Sequence, residues 1–284
     1  MKKQTTTESV EFHDLDRRKV VARFDGGTIT SDAGALLLRE LDQATGILRD
    51  FTGCFTDHRN PDLIEHTVLE LVAQRVYALA LGYEDLNDHD ELRADPLLAT
   101  LVGKVDPTGQ NRRRKKDRGK PLAGKSTLKS WSCERRVIGK AEHLAKGANP
   151  RFVVTSIPAE ELGARELYEE EYCARGDREN RIKEQQLFLF ADRTSTAFIW
   201  SNQIRLWFSS VAYTLLQYLR TFALEGTSLA RAQCNTIRLK LLKIGALVKI
   251  SVRRVLVSLA ESYPYREIFM HALRAIRRLA FVSS

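Results

Sequence analysis

Hydrophobic and polar positions alternate with different periods along the 284-residue chain, and these periods predict where strands and helices lie. Residues 19–30 contain two short β-branched runs joined by the turn sequence Asp25-Gly26-Gly27, a pattern typical of a hairpin. Residues 33–48 then follow the three-and-four spacing of an amphipathic helix. The N-terminal region is therefore expected to form a hairpin followed by helices.

Longer apolar stretches predict the main helices of a bundle. Residues 58–82 form one of them and end at Gly82, a residue type that commonly terminates helices. A third helical segment begins within residues 83–98. Residues 201–224 are strongly hydrophobic, but Asn202 and Arg205 interrupt them. That interruption favours a buried helix over a membrane span.

The second half of the chain mixes predicted strands with basic helices. Because most of these elements are helical, the sequence predicts an α+β fold that is mostly helical. The expected elements are paired strands at 134–144 and 149–157, a charged helix at 159–187, a basic amphipathic helix at 234–248, a strand at 249–260 and a last basic helix at 264–281.

Composition indicates the class of partner. The formal net charge is +9, the isoelectric point is near 9.4, and hydrophobic residues make up 43% of the chain. A core of this size excludes wholesale disorder, and cations spread among aromatic residues favour nucleic acid over a membrane as partner. The four cysteines are far apart and the N-terminus lacks an apolar signal segment. We therefore expect a cytoplasmic protein without disulfides or a zinc site.

Residues 104–132 differ from their neighbours, being basic and rich in glycine, and they predict a linker between residues 1–103 and 133–284. This stretch holds the P-loop spacing from Gly119 to Ser126. A P-loop must follow a buried strand, whereas "NRRRKKDR" precedes this one and Pro121 removes an amide donor. We predict a basic turn in which Ser126 or Thr127 caps a helix, and no nucleotide cofactor.

The strongest candidate for chemistry lies at residues 172–186. On a helix, Tyr172, Arg175, Glu179 and Lys183 would share one side, because they are separated by three and four residues. A carboxylate between two cations suits a metal and phosphate site. The alternative is a solvated helix with ion pairs. Ile182 is expected to contact the core while Glu179 points outward.

The spacing of Tyr172, Arg175 and Glu179 resembles the Y-R-E part of the signature of bacterial insertion-sequence transposases with a DDE triad. Further blocks, among them "FDGGTITSDAGALLLRELD", "RFVVTSIP" and "TIRLKLLKIGALVKISVRRV", resemble one group, the DDE transposases of domain group 1. The resemblance covers most of residues 20–270, and its separate blocks keep the family's order.

This resemblance implies an RNase H-like catalytic domain, in which two aspartates and one glutamate hold two Mg²⁺ ions for attack on DNA. Glu179 would be the third acid and a metal ligand, and Tyr172 and Arg175 would contact DNA or shape the site. The signature expects Lys seven residues after the glutamate, where this chain has Gln186. Lys183 is the nearest substitute.

A second departure concerns the other two acids. The resemblance places several strands, which carry both aspartates, between the blocks "GKSTL" and "WSCERRVIGK". Here these blocks adjoin. We interpret the chain as an internally deleted copy joined near residues 128–130, with an incomplete RNase H-like remnant in residues 133–284.

Three functions remain open at this point. The first is a transposase that retains one acid of three. The second is a module that binds element-end DNA, the full-length transposase or a second copy of itself, and inhibits transposition. The third is a metal nuclease that uses Asp25, Asp57 and Glu179. The acidic residues 85–91 are a further candidate metal site, for which helix capping is the alternative. The expected contacts with DNA phosphate come from Tyr172, Arg175, Lys183, Arg112, Arg113, Arg114, Lys115, Lys116, Arg238, Lys240, Lys243, Arg253 and Arg254.

Overall fold

The computed structural model describes residues 9–15, 18–23, 25–132, 176–193 and 199–282. Within them the fold is α+β and mostly helical, which confirms the predicted class. The helices are α1 (Leu36–Thr45), α2 (Ile47–Thr52), α3 (Val68–Leu81), α4 (His89–Leu92), α5 (Pro96–Val102), α6 (Lys125–Ser132), α7 (Gly176–Leu189), α8 (Ile199–Tyr218), α9 (Cys234–Ile237) and α10 (Arg266–Val282). The strands are β1 (Ser9–Leu15), β2 (Arg18–Arg23), β3 (Ile29–Thr30), β4 (Ala246–Ile250) and β5 (Val255–Leu259). The strands predicted at 134–144 and 149–157 lie outside the described residues.

The N-terminal hairpin exists, but its strands differ from the prediction. β2 pairs with β1 in antiparallel register, with Val10 opposite Ala22. β3 pairs instead with β4, with Ile29 opposite Leu247. A hairpin within residues 19–30 is therefore wrong, because the chain leaves the first ribbon at Gly27, whose φ is 75°, and finds a partner more than two hundred residues away.

Local signals in the sequence explain the boundaries of the N-terminal helices. Thr67 and Glu70 form a reciprocal capping box at the start of α3, and Gly82 ends that helix with a φ of 93°. Asp95 caps α5 through the amide of Leu97 at 2.7 Å. The predicted helix at 58–82 is shorter than its apolar pattern, because α3 begins only after this cap.

The C-terminal elements correct two further predictions. α9 continues through a π-helical turn, Arg238–Leu242, and helical structure ends there rather than at residue 248. The strand predicted at 249–260 is a hairpin of β4 and β5. Ala246 and Val248 alternate toward the core, so pairing of β4 with β3 and β5 prevails over its continuation as a helix.

A single hydrophobic cluster joins the two ends of the described chain. α1 packs against α10, and α3 packs against α8. The cluster includes fully buried residues such as Leu37 and Val76 from the first half and Leu215 and Ala272 from the second. Residues before 103 and after 199 thus share one core.

The short 3₁₀ turn Ala33–Ala35 lies against the π-helical turn Arg238–Leu242 with little space between their backbones. The amide of Ala33 donates to the carbonyl of Ile244 at 3.1 Å. A Cβ atom on Gly34 would lie 2.0 Å from the carbonyl oxygen of Leu241 and 2.6 Å from the Cα atom of Leu242. Both neighbours are backbone atoms, which cannot rotate away as a side chain can, so only glycine fits at position 34.

We expect Gly34→Ala to lower the free energy of unfolding by about 3 kcal/mol or more, because the added methyl group forces the two turns apart. Urea denaturation of the purified variant measures this change. Gly245→Ala is the matched control, since a Cβ atom there meets nothing within 4 Å, and its stability should stay near that of the parent. Equal stability of both variants would contradict the close approach.

Candidate nucleic-acid interface

Helix α7 carries the described part of the Y-R-E pattern. Glu179 and Lys183 are both exposed on it, whereas Tyr172 and Arg175 lie outside the described residues. Ile182 is 55% exposed, so its predicted contact with the core is wrong. Among the side chains of this helix that the structure describes, the buried ones are Glu184 and Leu189, which are 4% and 0% exposed.

Glu184 is a buried acid on α7, and sequence reasoning missed it. Its carboxylate accepts from Nη1 of Arg220 at 3.1 Å and from the amide of Cys234 at 3.0 Å. Arg220 also donates to the carbonyl of Ala232 at 3.0 Å. This ion pair joins α7 to the end of α8 and to the start of α9. A charge run on a helix carries no signal that separates such an acid from its exposed neighbours.

The described residues do not fit a site for two Mg²⁺ ions. Among them, no group of three or more His, Cys, Asp or Glu side chains is close enough to hold a metal ion. Asp25, Asp57 and Glu179 all belong to this described part of the chain and form no such group. Asp57 is paired with Arg59 at 2.7 Å, which lowers the pKa of its carboxyl group. The metal nuclease built from these three acids therefore lacks structural support.

The acidic residues at 85–91 stabilise turns rather than gather into a ligand set. Asp85 accepts from the amide of Asn87 at 3.0 Å, and Asp88 accepts from the amide of Asp85 at 3.1 Å. Backbone donors thus occupy these carboxylates, as in capping.

Two buried histidines lie nearby as neutral hydrogen-bond acceptors. Nε2 of His66 is 2.7 Å from Nη1 of Arg112, and Nδ1 of His89 is 3.0 Å from Nε2 of Gln74. Burial, with adjacent cations as the second cause, lowers the pKa of each histidine to about 3. Since arginine can only donate, His66 must accept at Nε2.

The basic segment 112–116 divides into two residues held by hydrogen bonds, Arg112 and Arg113, and three exposed residues without an ion pair in the described part of the chain. Arg112 bonds to Glu65 at 3.0 Å and to His66, which ties the segment to the turn before α3. The guanidinium of Arg113 donates to the carbonyl of Asp62 at 2.8 Å. Arg114, Lys115 and Lys116 are exposed, and within the described ranges no carboxylate lies within ion-pair distance of them.

The stretch with P-loop spacing uses its amides for internal bonds. The amide of Ala123 donates to Gln74 at 3.1 Å, and the amide of Lys125 donates to Asp90 at 3.1 Å. The ammonium group of Lys125 lies 3.3 Å from the same aspartate. α6 begins at Lys125, so Ser126 and Thr127 lie within the helix and their predicted capping role is wrong.

The basic face expected at 238–254 is smaller than the sequence indicates. Arg238 is 6% exposed and donates to the carbonyls of Ala80 at 2.8 Å, Leu79 at 3.3 Å and Phe188. Burial lowers the pKa of Arg238. Lys243 pairs with buried Asp32 at 2.6 Å. The cations that remain exposed in residues 238–254 are Lys240, Lys249, Arg253 and Arg254, and all but Lys249 are among the expected contacts with DNA.

Comparison with known proteins gives one match. A family model described as transposase DDE domain group 1 matches residues 12–129 and 110–281. A search of curated proteins found no significant match, and neither did a search of solved structures. No helix in the described ranges combines the length and apolar character that crossing a membrane requires.

Two variants on α7 test the assignment of buried and exposed acids. We expect Glu184→Gln to lower the free energy of unfolding by about 3 kcal/mol or more, because it leaves the charge of Arg220 buried without its counter-ion. The control on the same helix is Glu179→Gln, which should change stability by no more than about 0.5 kcal/mol. Chemical denaturation at neutral pH measures both values, and a larger loss for Glu179→Gln would reverse the assignment.

The histidines predict a loss of stability in mild acid. His66 and His89 titrate near 6.5 when unfolded but at about 3 when folded, so only the unfolded chain takes up their protons between these values. Stability that is complete above pH 6.5 should then fall by about 1.4 kcal/mol per pH unit for each histidine. Denaturation at pH 7 and pH 5 measures this loss. Both pH values lie above the ordinary pKa of carboxyl groups, so the difference reports mainly on the histidines. His89→Gln should reduce the difference, and equal stability at both pH values would contradict the neutral state.

Proposed function

The chain belongs to the transposase family of DDE domain group 1, and from that premise we propose that it binds the DNA ends of its element without cutting them. Membership in this family supports a function in transposition. Transposases of this kind bind DNA ends and generally use a divalent metal ion. We propose that this chain keeps the binding of DNA ends but does not use a metal ion to cut DNA.

The observation that carries this proposal is the isolation of Glu179. This residue is exposed on α7, and the acid beside it that is buried, Glu184, is already neutralised by Arg220. Two-metal catalysis needs several carboxylates placed together, because each Mg²⁺ ion requires near-octahedral oxygen ligands. The described residues offer no such group.

An internal deletion accounts for the shortage of acids. The family match falls into two segments that share residues 110–129, next to the junction that we place near residues 128–130. A chain joined at this point would lack the strands that carry both aspartates, and residues 133–284 would be the C-terminal remnant of an RNase H-like domain. The two-segment match supports this origin.

Exposed cations supply the proposed contacts with DNA. Arg113, Arg114, Lys115 and Lys116 are exposed in the basic segment, and Lys240, Arg253 and Arg254 are exposed in the C-terminal half of the chain. We leave Arg238 out, since its guanidinium is buried against backbone carbonyls. Contacts of this kind bind phosphate irrespective of sequence and release counter-ions. A chain that occupies element ends in this way would compete with a full-length enzyme and inhibit it.

Binding and cleavage of an element-end duplex test the proposal. We expect binding whose affinity falls steeply with salt, and no nicked product in Mg²⁺ or Mn²⁺. Arg253→Gln combined with Arg254→Gln should reduce the slope of log K against log salt by about 2, because two phosphate contacts are lost. Fluorescence anisotropy over a salt series measures the slope, and a gel assay measures cleavage.

The matched control replaces Arg277 and Arg278 with glutamine, since both are exposed on α10 and neither is among the proposed contacts. That variant should keep the parental slope. Metal-dependent cleavage by the parent chain that disappears in Glu179→Ala would overturn the proposal in favour of an active transposase.

A further inference from the structure

A cavity of about 650 Å³ opens between the turn before α3, the end of α4, the basic segment 112–117 and the first turn of α6. We propose that this cavity binds a phosphate group of the DNA backbone, an inference that rests on the proposed function and gives it a defined site. Its volume lies within the range of about 300–1,000 Å³ that is typical of small-ligand sites. Most such sites are apolar, whereas this one is lined mainly by charge.

The charge of the lining favours an anion. Six cations face two carboxylates, and the lining also includes His66, which is neutral because its pKa is about 3. The cations are Arg59, Arg93, Arg112, Arg113, Arg114 and Lys116, and the carboxylates are Glu65 and Asp117. An excess of cations in a concave site raises the local concentration of a polyanion.

Ion pairs among the lining residues neutralise only part of the excess positive charge of the cavity. Asp117 pairs with Arg93 at 2.8 Å, and Glu65 pairs with Arg112 at 3.0 Å. Arg59 is held by Asp57, which lies outside the lining. Both carboxylates of the cavity are thus engaged. In the described part of the chain, Arg114 and Lys116 have no carboxylate within ion-pair distance, so their charge remains available to a ligand.

Two unpaired guanidinium donors belong to residues of the lining. The Nε atoms of Arg93 and Arg112 are buried and have no hydrogen-bond partner among the described residues. A buried donor without an acceptor is costly, particularly on a charged group. Both arginines line the cavity, and phosphate oxygens are the strong acceptors that guanidinium groups prefer.

The first turn of α6 adds a favourable dipole. Gly124, Ser126 and Thr127 contribute to the lining, and the positive end of a helix dipole attracts an anion. Lys125 is absent from the lining because it turns to Asp90 at 3.3 Å. The site therefore differs from a P-loop, whose lysine contacts the phosphates.

The exposed neighbours favour DNA backbone as the source of the phosphate. Arg113, Arg114 and Lys116 are exposed members of the lining and extend its charge to the surface. A chain of phosphates can occupy the cavity and this rim together, whereas a free phosphate would leave the rim unused. One phosphate held in a formed site would also fix the register of the duplex.

A charge placed at Ser126 tests the site without disturbing the fold. Ser126 is exposed in the first turn of α6, where an acidic residue stabilises a helix. In the full chain we expect Ser126→Glu to fold with unchanged or higher thermal stability. The control is Ser126→Gln, which adds a side chain of the same size without a charge. Compared with this control, Ser126→Glu should bind element-end duplex and inorganic pyrophosphate about tenfold more weakly, because its carboxylate repels the phosphate groups. The salt slope for DNA should fall by about 1.

The outcomes separate this inference from the proposed function. Loss of both ligands in Ser126→Glu supports the site and its DNA source. If pyrophosphate binding weakens while DNA affinity is unchanged, the cavity does not bind DNA phosphate, although the chain still binds DNA elsewhere. Unchanged binding of both ligands overturns the site. If the parent chain binds pyrophosphate but no DNA, the proposed function fails and the DNA source fails with it, while the anion site remains.

Discussion

The packing of the helices depends on a buried guanidinium that satisfies carbonyls from separate elements. Arg238 donates to the carbonyls of Leu79 and Ala80 at the end of α3 and to that of Phe188 near the end of α7. Helix ends leave carbonyls without intrahelical partners, and burying them unpaired is costly. Gly82 permits this arrangement, since a Cβ atom there would lie 3.2 Å from the Arg238 side chain. The positions of α3, α7 and the π-helical turn are therefore coupled through one side chain.

Because several arginines are buried, the basic composition overstates the number of cations that a polyanion can contact. Arg75, Arg220 and Arg238 are at most 8% exposed, and carbonyl groups or Glu184 receive their donors. Burial lowers the pKa of Arg75 to about 10, so it stays charged at neutral pH. Some of the cations that contribute to the net charge of +9 are thus buried arginines, which stabilise the interior. The cations available to a polyanion are those that remain exposed, in the basic segment 112–116 and in the C-terminal half of the chain.

The sequence predicts helices well where their ends carry local signals. Thr67, Glu70 and Gly82 define α3 through capping, and the class of fold follows from the number of such segments. Prediction fails where a distant partner decides the structure. Ile29 belongs to a strand only because Leu247 lies opposite, and the helical pattern after Cys234 ends where β4 joins the sheet. Glu179 and Glu184 look alike in a charged run, and only packing against Arg220 separates them.

The shared core also bears on how an internally deleted chain can fold. A sheet that loses strands exposes edges and tends to aggregate, yet α1 and α3 pack directly on α10 and α8. These contacts bury residues on both sides of the junction in one cluster, so the helical core closes without the strands that we infer to be missing. The fold of the described residues therefore does not require the strands that we infer to be missing. A chain that keeps its core can keep α6 and the basic segment 112–117 in place, and with them the cavity that we propose as a phosphate site.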